Sequence, residues 1–378
     1  METIEKLMQL ADEAKDAKDY GKAFEYNRQA AEQGDGEAMA MMAVIYSDED
    51  YAGYDIEKAV EWSRKGAEIG NANAMTILGF AYDQGNGVEQ NRETAIKWYK
   101  KAAELGERVS MYALGAIYGD DEYGGKNLIE SVAWYQKAAD AGDEDAMDAL
   151  GMAYDTGRGV EQDKAKAVEW YRKAAEAGNA EAMSHLAGLY GFYDEKSEMY
   201  DPVKALEWFK KGAAAGEPYS MCMVGFAYQF GKGVEQDLDK AAEWYTKSAE
   251  AGDAVAMFAL GSLYDNEEYS GKDAVKAVEW YQKGAEAGDD DAMIALGVAY
   301  ETGDGIEENK EKAVAWYRKS ADAGNTGGMC NLAWAYLHGE GVKQDMEQAL
   351  SWYRKAAEAG DELAKKKLEE LEKSSDAE

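Results

Sequence analysis

At 378 residues, with 75 acidic against 41 basic side chains and a formal net charge of −34, the chain repels phosphate backbones and anionic headgroups. Nucleic acid and membrane surfaces are therefore excluded as expected partners. Its 46% apolar and 31% charged residues, with 40 Gly and only 2 Pro, fit a folded helical chain rather than a disordered one.

Residues 1–34 read as a divergent first repeat that caps the array. The helix within residues 1–18 puts Ile4, Leu7, Met8 and Ala11 on one face, and Tyr26 stands where later repeats carry Trp. The acidic start METIEKLMQLADEAKDAKDY has no apolar segment for a signal peptide, and no run of 18 apolar residues follows, so a cytoplasmic location is expected.

From 35 to 360 nine repeats of 36–38 residues succeed one another, so one solenoid domain over 1–378 is expected in place of several globular ones. The first helix of each carries A-M-x-x-L-G-x-x-Y, as in Ala74 to Tyr82. Small residues inside it (Ala43, Gly79, Gly115, Gly151, Ala187, Gly225, Gly261, Gly297, Ala333) predict close approach of a neighbouring backbone. The loop after it alternates. G-x-G-V follows at Gly85, Gly157, Gly231 and Gly303. Acidic, tyrosine-bearing loops begin at 47, 119, 191 and 264, and the last full repeat returns to Gly339 and Gly341. None of the acidic loops fits an EF-hand: the frame from Asp48 has Ala52 and Ala59 where oxygen ligands belong.

An Asp or Asn ladder (Asp19, Asp55, Asn91, Asn127, Asp163, Asp201, Asp237, Asp273, Asn309, Asp345) then supplies N-caps for the second helices. Pro202 and Pro218 each follow an acid at a helix start. The second helix carries an aromatic pair, Trp98-Tyr99 through Trp352-Tyr353, of which the Trp, Trp170 for example, is read as core. A Lys ladder from Lys65 and Lys101 to Lys355 complements the helix dipole in the last turn. Each repeat closes on a glycine, Gly34 through Gly360, suited to positive φ. Residues 361–378 form a C-terminal capping helix and frayed tail, apolar at Leu363, Ala364, Leu368 and Leu371.

Together A-M-x-x-L-G-x-x-Y, G-x-G-V and K-A-x-x-W-Y-x-K-A-A-E-x-G closely resemble the Sel1-like repeat (SLR) family over residues 19–360. The resemblance implies an all-α, right-handed α-α superhelix of ten helix-turn-helix repeats plus the capping helix, with first helices lining a concave face and proteins or peptides as ligands. Cysteine-rich members have been described as penicillin-binding or weak β-lactamase proteins. This chain lacks their paired cysteines. Its two, Cys222 and Cys330, lie three repeats and roughly 30 Å apart at helix-packing distances, too far for a disulfide, and are expected to be free thiols.

Analogy with tetratricopeptide arrays singles out two positions per first helix, spaced i and i+4 on one face. They read Ala40/Val44, Thr76/Phe80, Tyr112/Ala116, Asp148/Met152, Ser184/Gly188, Cys222/Phe226, Phe258/Ser262, Ile294/Val298 and Cys330/Trp334. Apolar residues there, on so acidic a chain, mark an interaction surface made by Phe80, Tyr112, Met152, Phe226, Phe258, Ile294, Val298 and Trp334.

Catalytic, metal and cofactor sites are not expected: only His185 and His338 exist, and no S-x-x-K, G-x-S-x-G or H-E-x-x-H occurs. The expected function is a non-enzymatic, monomeric scaffold or adaptor holding a protein or peptide with apolar anchors and basic flanks. A β-lactam- or peptidoglycan-directed hydrolase and a purely architectural array are the alternatives.

Overall fold

The computed structural model describes residues 2–17, 19–50, 53–120, 127–191 and 196–375, with side chains as far as Leu371. Among these the chain forms 21 helices and no strand. The first ten are α1 (Ile4–Asp16), α2 (Tyr20–Glu32), α3 (Gly36–Ser47), α4 (Ile56–Glu68), α5 (Ala72–Gln84), α6 (Arg92–Glu104), α7 (Arg108–Gly119), α8 (Leu128–Asp140), α9 (Glu144–Thr156) and α10 (Lys164–Ala177). There follow α11 (Ala180–Tyr190), α12 (Pro202–Ala214), α13 (Pro218–Phe230), α14 (Leu238–Glu250), α15 (Ala254–Asp265) and α16 (Ala274–Glu286). The last are α17 (Asp290–Thr302), α18 (Lys310–Asp322), α19 (Thr326–His338), α20 (Met346–Glu358) and α21 (Glu362–Ser375). Ten helix pairs and one final helix match the ten repeats and their cap. By packing, the chain divides into two compact bodies, 1–182 and 183–378.

The punctuation acts as its chemistry requires. Every Asp or Asn of the predicted ladder caps a second helix, as Asp163 does through its Oδ1, which accepts from the Lys166 amide at 3.0 Å. At the other end Gly106 sits at φ +89, and the amides of Gly106 and Glu107 donate to Ala103 and Ala102, so the last carbonyls of α6 are satisfied. The residue after such a glycine caps the next first helix: Asp35, Asn71, Glu107, Asp143, Glu217, Asp253, Asp289 and Asn325 form a second cap ladder. The G-x-G-V loops serve packing. A Cβ on Gly159 would lie 2.3 Å from the Leu128 carbonyl oxygen, so the loop rests on the start of the preceding second helix.

Two expectations about packing are corrected. The small residue inside the first helix admits an aromatic ring rather than a backbone: a Cβ on Gly151 would stand 2.4 Å from the Tyr171 ring, and Gly79, Gly115, Gly225, Gly261 and Gly297 face Tyr99, Tyr135, Tyr245, Tyr281 and Tyr317 in the same way. In most repeats the more deeply buried aromatic is therefore the second of the pair, whereas in the last repeat Trp352 is buried together with Tyr353. Tyr171 is buried whereas Trp170 is half-buried at the edge of the cluster around Leu150. The outer face of each Trp is covered by the lysine three residues on, with Lys65 4.5 Å from Trp62 and Lys211 3.6 Å from Trp208 at the extremes. The Lys ladder thus stacks on tryptophan as well as facing the helix dipole.

Both ends close as expected except at one residue. Leu7 and Ala11 of α1 are buried, with Ile4 and Met8 packed beside them. In α21 Ala364 is buried and Leu368 and Leu371 pack onto the cluster of Tyr353 and Ala356, but Leu363 points to solvent, 75% exposed. Position 363 lies one residue, about 100° of helix rotation, away from the buried Ala364 and so falls on the outer face of α21. Because each repeat is stabilised chiefly by its neighbours, removal of residues 143–178 is expected to leave a shorter folded chain. A deletion product without helical circular dichroism would refute this frame.

Candidate interaction surface

Fixing the tyrosine ring against a glycine fixes which way each first helix turns its other faces. In the N-terminal body Phe80 and Met152 are exposed, while Tyr112 is half-buried with its ring 5.5 Å from that of Tyr135. In the C-terminal body Val298 and Trp334 are exposed and Phe226, Phe258 and Ile294 half-buried. The i and i+4 pairs do not all look outward together. Ala40, Asp148, Ser184 and Cys222 are buried, and Ala40, Ser184 and Cys222 lean on the first helix of the next repeat. The outward strip is carried mainly by the second position.

Phe80 and Val298 each roof a cleft of about 210 Å³ at the same place in their repeats. A larger cavity, about 300 Å³, opens between α13 and α15. Its walls are Tyr219, Met223, Phe226, Phe230, Val255 and Phe258, with Cys222 and Tyr245 beneath. Two of the predicted residues, Phe226 and Phe258, meet here. Tyr219, Phe230 and Val255 were missed because the tetratricopeptide analogy considers only two positions per helix.

A signal for them exists. Along the outward face α13 reads Tyr219, Cys222, Phe226, Phe230, whereas α5 has Asn73 and Gln84 at the ends of the same face, α9 Asp145 and Thr156, and α17 Asp291 and Thr302. Tyr219 and Phe230 remain 49% and 54% exposed, so α13 carries uncovered aromatic side chains at both ends of this face, with Phe226 half-buried and Cys222 buried between them. The rings of Phe226 and Phe230 lie 4.5 Å apart, bracing one wall.

Carboxylates line the N-terminal rim. Glu217, Asp253 and Asp289 cap α13, α15 and α17. Burial raises the Asp289 carboxyl above the usual range, its hydrogen bond from the Ala292 amide opposes this, and Asp291, Asp290 and Asp253 add to the rise. The Cys222 thiol is pushed up to about 12 by burial, then by Asp253 and Glu217, and Cys330 to about 11, chiefly by burial. Both cysteines are free. As thiols of such high pKa they are poor nucleophiles.

His338 stacks on Trp334 with ring centres 4.4 Å apart, its Nδ1 2.9 Å from the Trp334 carbonyl oxygen. Among the described residues no three His, Cys, Asp or Glu side chains gather as metal ligands, and no helix is long and apolar enough to cross a membrane. The acidic loops fall partly at 51–52, 121–126 and 192–195, outside the described residues. Of what is described, Asp120 is held by Arg92 at 2.7 Å, and Lys272 is bonded to Glu267 within the loop after α15.

The family profile described as Sel1 repeat matches ten times, at 16–35, 36–71, 72–107, 108–143, 144–179, 180–217, 218–253, 254–289, 290–325 and 327–361. A protective antigen present in uropathogenic Escherichia coli strains, displaying an SLR fold, is 33% identical; the match covers 94% of this chain and 76% of that one, with a TM-score of 0.66. A Sel1 repeat protein from Oxalobacter formigenes is 27% identical, over 87% of this chain and 93% of that one, with a TM-score of 0.65. No curated protein matches the chain.

Proposed function

The chain belongs to the Sel1 repeat family, whose members generally act as protein-interaction scaffolds, and from that premise we propose that it is a non-catalytic scaffold or adaptor binding a partner protein or peptide on the outward face of its first helices. The observation that carries this reading is the apolar cavity between α13 and α15, framed by residues that a solvated helix would make polar. Phe226, Phe258, Ile294, Val298 and Trp334 supply anchors in the C-terminal body, and Phe80, Tyr112 and Met152 extend the same positions in the N-terminal body.

On a protein of net charge −34 the partner carries apolar anchors with basic flanks, and charge acts mainly on the rate of association. The scaffold works as a monomer in the cytoplasm. The single-domain reading of 1–378 is kept as a proposal, supported by a repeat period that passes through α11 without interruption.

Aromatic anchors buried in an interface typically account for about 2 kcal/mol or more each on truncation. For a partner recovered with the full chain and re-measured with purified components, Phe226→Ala and Trp334→Ala are each expected to weaken binding at least about tenfold. Helicity stays unchanged. Affinity that survives both substitutions but falls when Asp120 or Tyr269 is replaced would move the binding face to the acidic loops.

A further inference from the structure

The first helices α13, α15 and α17 begin at 218, 254 and 290, so residues at equal distance from each start form rows across three successive repeats. The row next to the N-terminal rim reads Tyr219, Val255, Asp291, all exposed. The next reads Cys222, Phe258, Ile294. Passing from α13 to α17, the rim therefore changes from aromatic and aliphatic to acidic.

The acids at the α17 end are three in succession, Asp289, Asp290 and Asp291. Among the described residues their side chains meet amides: Asp289 accepts from the Ala292 N–H at 2.6 Å, and Asp290 and Asp291 from the Asn325 side chain at 3.0 and 3.1 Å. The helix N-terminus eases their charge in part. Burial is the main cause of the upward displacement of Asp289, and to it is added repulsion from Asp291, Asp290 and Asp253. An incoming cation relieves that repulsion.

We infer that this groove reads two side chains of one extended segment of a partner protein: a large apolar one seated between α13 and α15, and a lysine or arginine set over Asp290 and Asp291. The inference rests on the proposed function, since it takes the outward face of the first helices as the binding surface. Neighbouring helix axes lie about 10 Å apart, which puts the two subsites roughly 10 to 15 Å from each other. At about 3.3 Å per extended residue the apolar and basic side chains stand about three to five residues apart in the partner. Apolar contact holds the segment, and the charge fixes its register.

The test selects binders to the full chain from a displayed random-peptide library and measures the best synthetic peptide by fluorescence anisotropy. The expected binders pair Phe, Trp, Leu or Met with Lys or Arg at this spacing. Phe258→Ala weakens the peptide at least about tenfold, and Asp290→Asn with Asp291→Asn weakens it about three- to tenfold. Exchanging the peptide's basic residue for glutamine removes the effect of the aspartate substitutions. Tyr219→Ala, at an exposed position, gives a second loss of affinity should Phe258→Ala reduce helicity. Binders that need Phe258 and Tyr219 but ignore the aspartates overturn this inference and leave the scaffold reading standing. A library that yields nothing, or binders indifferent to Phe226, Tyr219 and Phe258, overturns both.

Discussion

Tyr171→Ala is expected to destabilise the N-terminal body by about 3 to 5 kcal/mol, the range for emptying a buried aromatic site. The ring is 2% exposed and fills the space left by the missing side chain of Gly151, so its removal opens a void that a rigid helix pair closes poorly. Trp170→Ala, one residue earlier, costs about half as much, because only part of that indole leaves water on folding. The reciprocal change adds a methyl where the ring lies. Gly151→Ala gains up to about 1 kcal/mol of helix propensity but is expected to lose about 1 to 3 kcal/mol to overpacking. Combined with Tyr171→Ala it costs less than the sum of the two, since the methyl then enters empty space. Denaturant unfolding of the four variants measures all of this. If Trp170→Ala proves the more damaging and Tyr171→Ala costs under about 1 kcal/mol, the ring-in-glycine packing is not what holds adjacent helices together.

The repeat frame, the starts of the second helices and the closing glycines could be read from sequence because each depends on local chemistry. An aspartate caps through its own side chain, and a glycine at φ +89 is needed wherever the chain is placed. Which aromatic of the pair faces inward could not. Trp170 and Tyr171 are adjacent on a helix, both apolar enough for a core, and only the gap at Gly151 on a different helix decides between them. The stacking of Lys173 on Trp170 was readable, since residues three apart share a helix face. Its charge had been assigned wholly to the dipole. At the candidate site the useful comparison was between repeats: Tyr219 is unremarkable alone, and it stands out only beside Asp145 and Asp291 at the same helix position. Burial of Ala40 and Cys222 depends on how closely the next repeat approaches, a tertiary distance that spacing along one helix does not contain.

Alkaline solution should unfold the chain abruptly. Tyr135 and Tyr353 have phenols pushed up to about 12, and Tyr99, Tyr171, Tyr281 and Tyr317 are displaced further upward. Burial is the first cause in each. Nearby carboxylates add to it at Tyr99, Tyr171, Tyr281 and Tyr317, the last of which donates its hydroxyl hydrogen bond to Glu301. In the unfolded chain these phenols ionise near pH 10. The folded chain keeps its protons longer, so their contribution is complete below about pH 10 and is lost as pH rises toward and beyond about 12. Each phenol withdraws at most about 1.4 kcal/mol per pH unit in that window, so three in one body withdraw at most about 4 per pH unit and about 8 over two units, against a typical domain stability of about 5 to 15 kcal/mol. Helical circular dichroism and phenolate absorbance followed together should therefore show helix retained up to about pH 11. A steep joint transition follows above about pH 11 as the core phenols ionise on unfolding. Tyr171→Phe, which keeps the ring but has no proton to lose, should move the N-terminal body's transition upward. Core phenols that ionise smoothly near pH 10 in a chain still fully helical would mean that the glycine slots are open to water.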